Sequence, residues 1–292
     1  MTHPSPDPNL GQTPSPHGHP PPADFTAREV QIWPFALAAL RPGDLAHDAL
    51  HLLRVRHWAH KIAPELGVDL EEAGIAALLH DLVQIPKDHP DRSQAAARAA
   101  QAAGELLATV ALSSEARARI CAAIATTSWS AGRRPESPLG WVLHDADRLD
   151  AIGCIGVFRN IATVSDFSHR GRSVGFYHPA DPFARGDRPI DDRTWAIDHW
   201  PHKLFGLADT LYSELARAEG ARRLAWMKAA YEQLSCELAP ELAPELVRAL
   251  VQERADAPTM QRPNENDPAA HSAVGSTGSG TAGGAAGALA SR

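Results

Sequence analysis

Cysteine is scarce in this chain: Cys121, Cys154 and Cys236 are the only three in 292 residues, and each falls inside an apolar helical pattern. A small, odd number argues against a disulfide framework and against thiol chemistry, and it points to a reducing cytosol. No run of about 18 uninterrupted apolar residues occurs, so a membrane-spanning helix is not expected. The N-terminus lacks the charged-then-apolar order of a secretory signal, which makes the cytoplasm the expected location. Alternating runs rich in Val, Ile, Thr and Tyr, the mark of half-buried strands, are missing too. So is any excess of positive charge. With 28 Lys+Arg against 35 Asp+Glu the net charge is -7, which argues against duplex nucleic acid or a membrane as partner. Local basic groups can still hold one phosphorylated small molecule.

Proline and small residues concentrate at the two ends. Residues 1–23 hold eight of the 24 prolines and almost no large apolar side chains, so this stretch is expected to remain disordered. Residues 258–292 close on a Gly/Ala/Ser/Thr run and carry the same expectation. Between them, residues 24–257 offer roughly 230 residues, enough for one sizeable core.

Apolar residues recur there at helical spacing, which makes the domain all-α. A first helix is expected over 25–40 around Pro34, and a second over 46–63 with Asp44 as its N-cap. Asp69 with Glu72 signals the start of a third, which carries His80-Asp81 and stops before Pro86. Ser93 and Ser113 or Ser114 open a fourth and a fifth, to about Val110 and Thr127. A sixth is expected over 138–162, then a Gly/Pro-rich loop over 166–189 too long to be a mere connector. Helix resumes from Asp191 to about Glu237, interrupted at Pro201. The repeat Glu-Leu-Ala-Pro at 237–244 is too short for a solenoid.

Against this background a dispersed set of His and Asp residues stands out: His51, the pair His80-Asp81, and the acidic cluster Asp145, Asp147 and Asp150. One metal ion needs about four donors converging from separate elements, and imidazole with carboxylate suits Mn, Fe, Co, Ni or Zn. A lone His-Asp dipeptide means little among 15 histidines. His80-Asp81, however, ends the apolar run Ile75 to Leu79 near a helix C-terminus, where burial and the helix dipole both disfavour an unpaired carboxylate. A cation removes that penalty. His47, His51 and Arg54 share a helical face, with His47 read as a neighbour of a ligand rather than a ligand. Asp145 and Asp147 point to nearly opposite sides of their helix, so only one is expected to meet a metal. Asp147 shares its face with Asp150 and Cys154, Asp145 with Trp141, Leu149 and Ile152, and periodicity does not choose between them.

The strings His47-Asp48-x-x-His51-x-x-Arg54-Val55, Leu78-Leu79-His80-Asp81-Leu82 with Pro86-Lys87, and Asp145-Ala146-Asp147-Arg148-Leu149-Asp150-Ala151-Ile152-Gly153 together resemble the HD-domain superfamily of metal-dependent phosphohydrolases. Within it they are similar to the YedJ/YpgQ-like subgroup. The similarity continues through Asp181-Pro182-Phe183-Ala184, Pro189 to Asp192 and His199-x-x-x-Lys203-Leu204, and so covers about residues 25–238. The resemblance implies an all-α HD-domain helical bundle with His51, His80, Asp81 and Asp147 as metal ligands. It also implies hydrolysis of nucleotides, including triphosphate to monophosphate plus pyrophosphate; fold alone does not fix that activity. One departure is notable: where the subgroup has His-Ser-Phe-Ser-Ala, this chain reads Thr127-Ser128-Trp129-Ser130-Ala131. Thr can donate a hydrogen bond but cannot carry a proton at neutral pH.

The expected cofactor is a divalent ion, Mn first, with Mg, Co, Ni, Fe or Zn as alternatives, and the expected partner is a small nucleotide. Self-association into a homodimer is allowed by the sequence and not demanded by it. His80, Asp81 and Asp145 are the candidate catalytic residues, with Asp145 or Asp48 orienting a water. Arg54, Lys87, Arg148, His199 and Lys203 are candidate substrate contacts, Arg suiting a bidentate grip on phosphate and Lys a point contact. An alternative of a different class is a regulatory module that keeps metal and nucleotide binding without turnover, which Thr127 favours. Hydrolysis of a signalling nucleotide ranks lower, because the chain lacks the Gly-Tyr-Pro extension of cyclic-dinucleotide HD enzymes.

Overall fold

A computed structural model describes residues 19–86, 89–127 and 133–238. All of these lie in one compact unit that runs to Arg248; a second unit, Ala249–Arg292, lies wholly outside the described residues. Among the described residues there is no β-strand, only an isolated bridge between Gly175 and Trp195. The all-α class expected from periodicity is what is found, in the order α1 (Ala27–Ala38), α2 (Ala49–Ile62), α3 (Leu70–Leu79), α4 (Ala95–Leu107), α5 (Ser114–Ala125), α6 (Pro138–Asp150), α7 (Gly153–His169), the single turn α8 (Phe205–Leu207) and α9 (Glu214–Leu238).

The middle of the fold is α3 and α6. Ile75 to Leu79 are buried all round, and on α6 nearly every residue from Leu139 to Asp150 is buried. Helix α2 packs on both, burying Leu52, Val55, Ala59 and Ile62 at helical spacing, and α5 closes the other side. Each fully buried Leu or Ile side chain contributes about 1.5–3 kcal/mol of transfer free energy. A helix enclosed on every side has no solvent face, so each polar group on α6 must find a protein partner or a ligand.

The helix starts follow their caps. The Asp69 carboxylate accepts from the Glu72 amide at 3.0 Å, and the Ser113 hydroxyl accepts from the Ala116 amide at 3.1 Å. Thr26 and Glu29 form a reciprocal capping box for α1, which tolerates Pro34 in its interior. Four expectations are corrected. Asp48, not Asp44, caps α2, accepting from the His51 amide at 2.8 Å, while Asp44 ties down the Ala46 and His47 amides one turn earlier. Residues Pro90–Gln94 form a 3-10 turn capped by His89, so α4 begins at Ala95 rather than at Ser93. The single helix expected over 138–162 is two, because Gly153 takes a left-handed φ of +79° and opens α7 in a new direction. Helix also resumes later than Asp191: a π-helical turn occupies Trp200–Leu204, and a long helix forms only at Glu214.

At Gly153 a Cβ would meet the Arg223 side chain at 3.1 Å, in a conformation that costs an L-residue roughly 1–2 kcal/mol. Gly153→Ala is therefore expected to lower stability by about 1–2 kcal/mol in denaturant titration, with the helix content of the folded state unchanged.

Candidate metal centre

Three elements deliver their polar ends to one point. His51 stands in the first turn of α2, His80 is the C-cap of α3 with Asp81 directly after it, and Asp147 lies in the last turn of α6. The Nε2 atoms of His51 and His80 are 3.3 Å apart. Asp81 Oδ2 is 3.7 Å from His51 Nε2 and 3.8 Å from His80 Nε2, so one donor atom from each of the three falls within 4.8 Å of the others. Asp147 Oδ1 lies 3.9 Å from both imidazole nitrogens. Both imidazoles are buried, and the two carboxylates face a cleft.

The imidazole tautomers follow from their other nitrogens. His80 Nδ1 is 2.7 Å from the Ala77 carbonyl, which can only accept, so Nδ1 carries the proton. His51 Nδ1 donates to Asp150 Oδ2 at 2.7 Å. With Nδ1 protonated on both, the Nε2 atoms face each other across 3.3 Å, an arrangement that a shared cation between two neutral rings satisfies, as does a proton held by one ring. Burial and then the charge of Arg159 push the His51 pKa below its ordinary value, which favours the neutral ring. The donor set, two imidazoles and two carboxylates, fits a divalent cation of the Mn to Zn range.

Asp150 is itself buried. Burial works against its charged form, but hydrogen bonds from His51 and Arg54 outweigh it, and its carboxyl is held well below the usual carboxylate range. Arg54 grips it with Nε at 2.6 Å and Nη2 at 3.0 Å, and Arg159 Nη1 stands 3.2 Å away.

Asp145 is not brought to this cluster. Its oxygens accept from the backbone amides of Tyr212 at 2.9 Å and Ser213 at 2.8 Å, on the far side of α6. There it helps satisfy the start of α9, whose next amides, Glu214 and Leu215, are taken by the Glu65 carboxylate. Asp48, the other residue considered for orienting water, is engaged in its N-cap.

The cleft over the cluster has a volume of about 1240 Å³. Among the described residues six cationic side chains line it, Arg92, Arg148, Arg159, Arg172, Arg193 and Lys203, against three carboxylates, so a chain of net negative charge presents a locally positive pocket. Arg148 donates to Asp147 Oδ2 at 2.9 Å and to the Thr127 carbonyl at 3.1 Å. His199 Nδ1 meets Asp192 Oδ2 at 2.8 Å, and Lys203 stands one turn on. Burial, and then the charge of Arg148, lower the Lys203 ammonium to about 8. The Thr127 hydroxyl donates to the Ile124 carbonyl at 2.9 Å. Lys87 and the motif residues 128–131 lie outside the described residues. Arg54 does not line the cleft. Sequence reasoning missed Arg92, Arg159 and Asp192. None sits in a local pattern of its own, whereas Asp150 was visible as the residue one turn from Asp147.

The matching family model is the HD domain, over residues 49–152, which spans all four clustered donors. The chain thus carries an HD domain over those residues. Its similarity is to the YpgQ-like group: it is 27% identical over 216 residues to YpgQ of Bacillus subtilis, covering 73% of this chain and 93% of that one. The crystal structure of Bacillus subtilis YpgQ in complex with ADP superposes with a TM-score of 0.54 at 27% identity, over 72% of this chain and 97% of that one. A solved Lactobacillus plantarum protein gives a TM-score of 0.58 at 29% identity, over 74% and 100%. Among the described residues no helix is long and apolar enough to cross a membrane.

In this HD domain the carboxylate behind His51 has a measurable consequence. Asp150→Asn keeps the size of the side chain, but its amide cannot both accept from His51 and hold Arg54. Mn2+ affinity measured by titration calorimetry is expected to fall about 10- to 100-fold, with the melting temperature far less affected than by loss of core packing.

Proposed function

We propose that this HD-domain protein is a phosphohydrolase dependent on a divalent metal, Mn2+ first, that acts on nucleotides at a phosphoanhydride or phosphoester bond. The observation that carries the reading is the pair of opposed Nε2 atoms flanked by Asp81 and Asp147 at the floor of a cationic cleft. His51, His80, Asp81 and Asp147 would hold the ion. When bound, the ion supplies Lewis acidity toward a phosphoryl oxygen and makes a nearby water more acidic.

The chain's own residues do the rest. Asp150 and the Ala77 carbonyl fix both rings in the tautomer that leaves Nε2 available. Arg148 holds Asp147 in place from within the cleft, and Lys203 and His199 stand where a phosphate chain would run. Asp145 acts at one remove, by anchoring the start of α9 against α6. The ADP bound by YpgQ supports a nucleotide as the ligand class here.

A second reading, metal and nucleotide binding without turnover, draws on Thr127, whose hydroxyl is spent on its own helix and does not titrate near neutral pH as an imidazole does. The test is a panel of nucleoside mono-, di- and triphosphates, a guanosine polyphosphate and a cyclic dinucleotide, incubated with protein and Mn2+ or Mg2+ and resolved by chromatography. Metal-dependent product from the nucleoside phosphates supports hydrolysis. Nucleotide-dependent thermal stabilisation with no product from any compound would replace it with the second reading.

A further inference from the structure

Two arginines hold Asp150, and they differ in what else they face. Arg54 approaches from α2 with Nε and Nη2 and lies outside the cleft lining. Arg159 approaches from α7, lines the cleft, and is pinned from two sides: its Nε donates to the Ala46 carbonyl at 2.7 Å, and its Nη1 is 3.2 Å from Asp150 Oδ2. Its Nη2 has no protein partner among the described residues. The guanidinium is therefore locked in orientation by the protein with one donor edge left over at the cleft wall. It is also close enough to the cluster for its charge to act on His51, Asp147 and Asp150.

We propose that Arg159, and not Arg54, is the guanidinium that grips the substrate's phosphate next to the metal centre, through the side-chain edge left by its hydrogen bond to the Ala46 carbonyl and its ion pair with Asp150. The proposal rests on the reading of the cleft as a phosphate site and names a residue that reading does not assign. A preorganised guanidinium loses little conformational freedom on meeting an anion, and its planar edge matches two phosphate oxygens. The same side chain joins the bound anion to His51 through Asp150, so phosphate occupancy and the orientation of that imidazole share one brace.

Arg54 has the other assignment. Both donors that Asp150 receives from it are spent, and its contribution goes to fixing the carboxylate. The two arginines should then separate in a binding experiment, one affecting chiefly the phosphate and the other chiefly the metal.

The experiment measures Mn2+ binding by electron paramagnetic resonance, and ADP and tripolyphosphate binding to the Mn2+-loaded full chain by calorimetry. It compares wild type, Arg159→Gln, Arg159→Lys and Arg54→Gln, with far-UV helicity as the fold control. Arg159→Gln is expected to weaken both phosphate ligands about 10- to 100-fold while Mn2+ affinity changes less. Arg159→Lys is expected to recover part of the loss, since it restores the charge but not the fork. Arg54→Gln is expected to weaken Mn2+ more than the phosphate ligands. The proposal is overturned if Arg159→Gln binds tripolyphosphate as wild type does, or if Arg54→Gln loses more phosphate affinity than Arg159→Gln. Wild type that binds tripolyphosphate but not ADP removes the nucleotide reading and leaves the arginine assignment to the variants. Wild type that binds Mn2+ but neither phosphate ligand removes both.

Discussion

Replacement of Asp81 by alanine is expected to lower metal-dependent turnover by roughly three orders of magnitude or more. A bound cation contributes several kcal/mol of charge stabilisation in a phosphoryl transition state, and about 1.4 kcal/mol corresponds to a factor of ten in rate. Among the described residues Asp81 is the carboxylate nearest to the two Nε2 atoms, at 3.7 Å and 3.8 Å, and it opens onto the cleft rather than the core. Its removal therefore takes away a donor without opening a cavity in the packed interior. Steady-state rates at saturating Mn2+ and a thermal melt are the measurements. A variant that folds, melts near wild type and still turns over at the wild-type rate would contradict the assignment of this carboxylate.

The second large effect concerns stability. Glu29 is completely buried, and it accepts from Arg56 Nε at 2.6 Å, Arg56 Nη2 at 2.8 Å and the Thr26 amide at 2.9 Å. Arg56 in turn reaches Asp24 at 2.8 Å and covers the face of Phe25 with its guanidinium carbon 4.4 Å from the ring centre. This pair ties α1 and the segment before it to α2. Even the packing around it is tight, since a Cβ on Gly74 would meet Glu29 Oε1 at 2.2 Å. Breaking such a pair from one side strands a charge in the interior, which costs about 3–5 kcal/mol, whereas replacing both partners with apolar groups of like size costs far less. Arg56→Met is expected to destabilise by about 3–5 kcal/mol, a fall on the order of 10 °C in melting temperature for a domain of this size. Adding Glu29→Leu to it should recover part of that loss. A single variant that melts within about 2 °C of wild type would show that the buried pair is not what joins these helices.

How far the sequence could be read follows from which signals are local. Helix class and several caps were legible because the information lies within four residues: Asp69 before Leu70, Ser113 before Ser114, the apolar spacing of α2. The convergence of His51, His80 and Asp81 was legible as chemistry, since those residue types in apolar helical settings need a shared partner. The break at Gly153 was not, because it interrupts an apolar run that is helical on both sides. The position of Asp145 was not legible either. Its partners are the backbone amides of Tyr212 and Ser213, nearly seventy residues away, and no side-chain pattern announces a backbone donor. Arg159 failed for the same reason: its meaning lies in the Ala46 carbonyl and in Asp150, both brought to it only by the packing of α7.

The central claim is a single divalent ion held between the two opposed imidazoles. Titration of metal-free protein with Mn2+, followed by the paramagnetic resonance of the free ion, tests it most directly. The expected result is loss of the free-ion signal up to one equivalent per chain in the wild type, and no such uptake in His51→Ala or Asp81→Ala proteins of unchanged helicity. Uptake by either variant matching that of the wild type, or none by the wild type, would contradict the account.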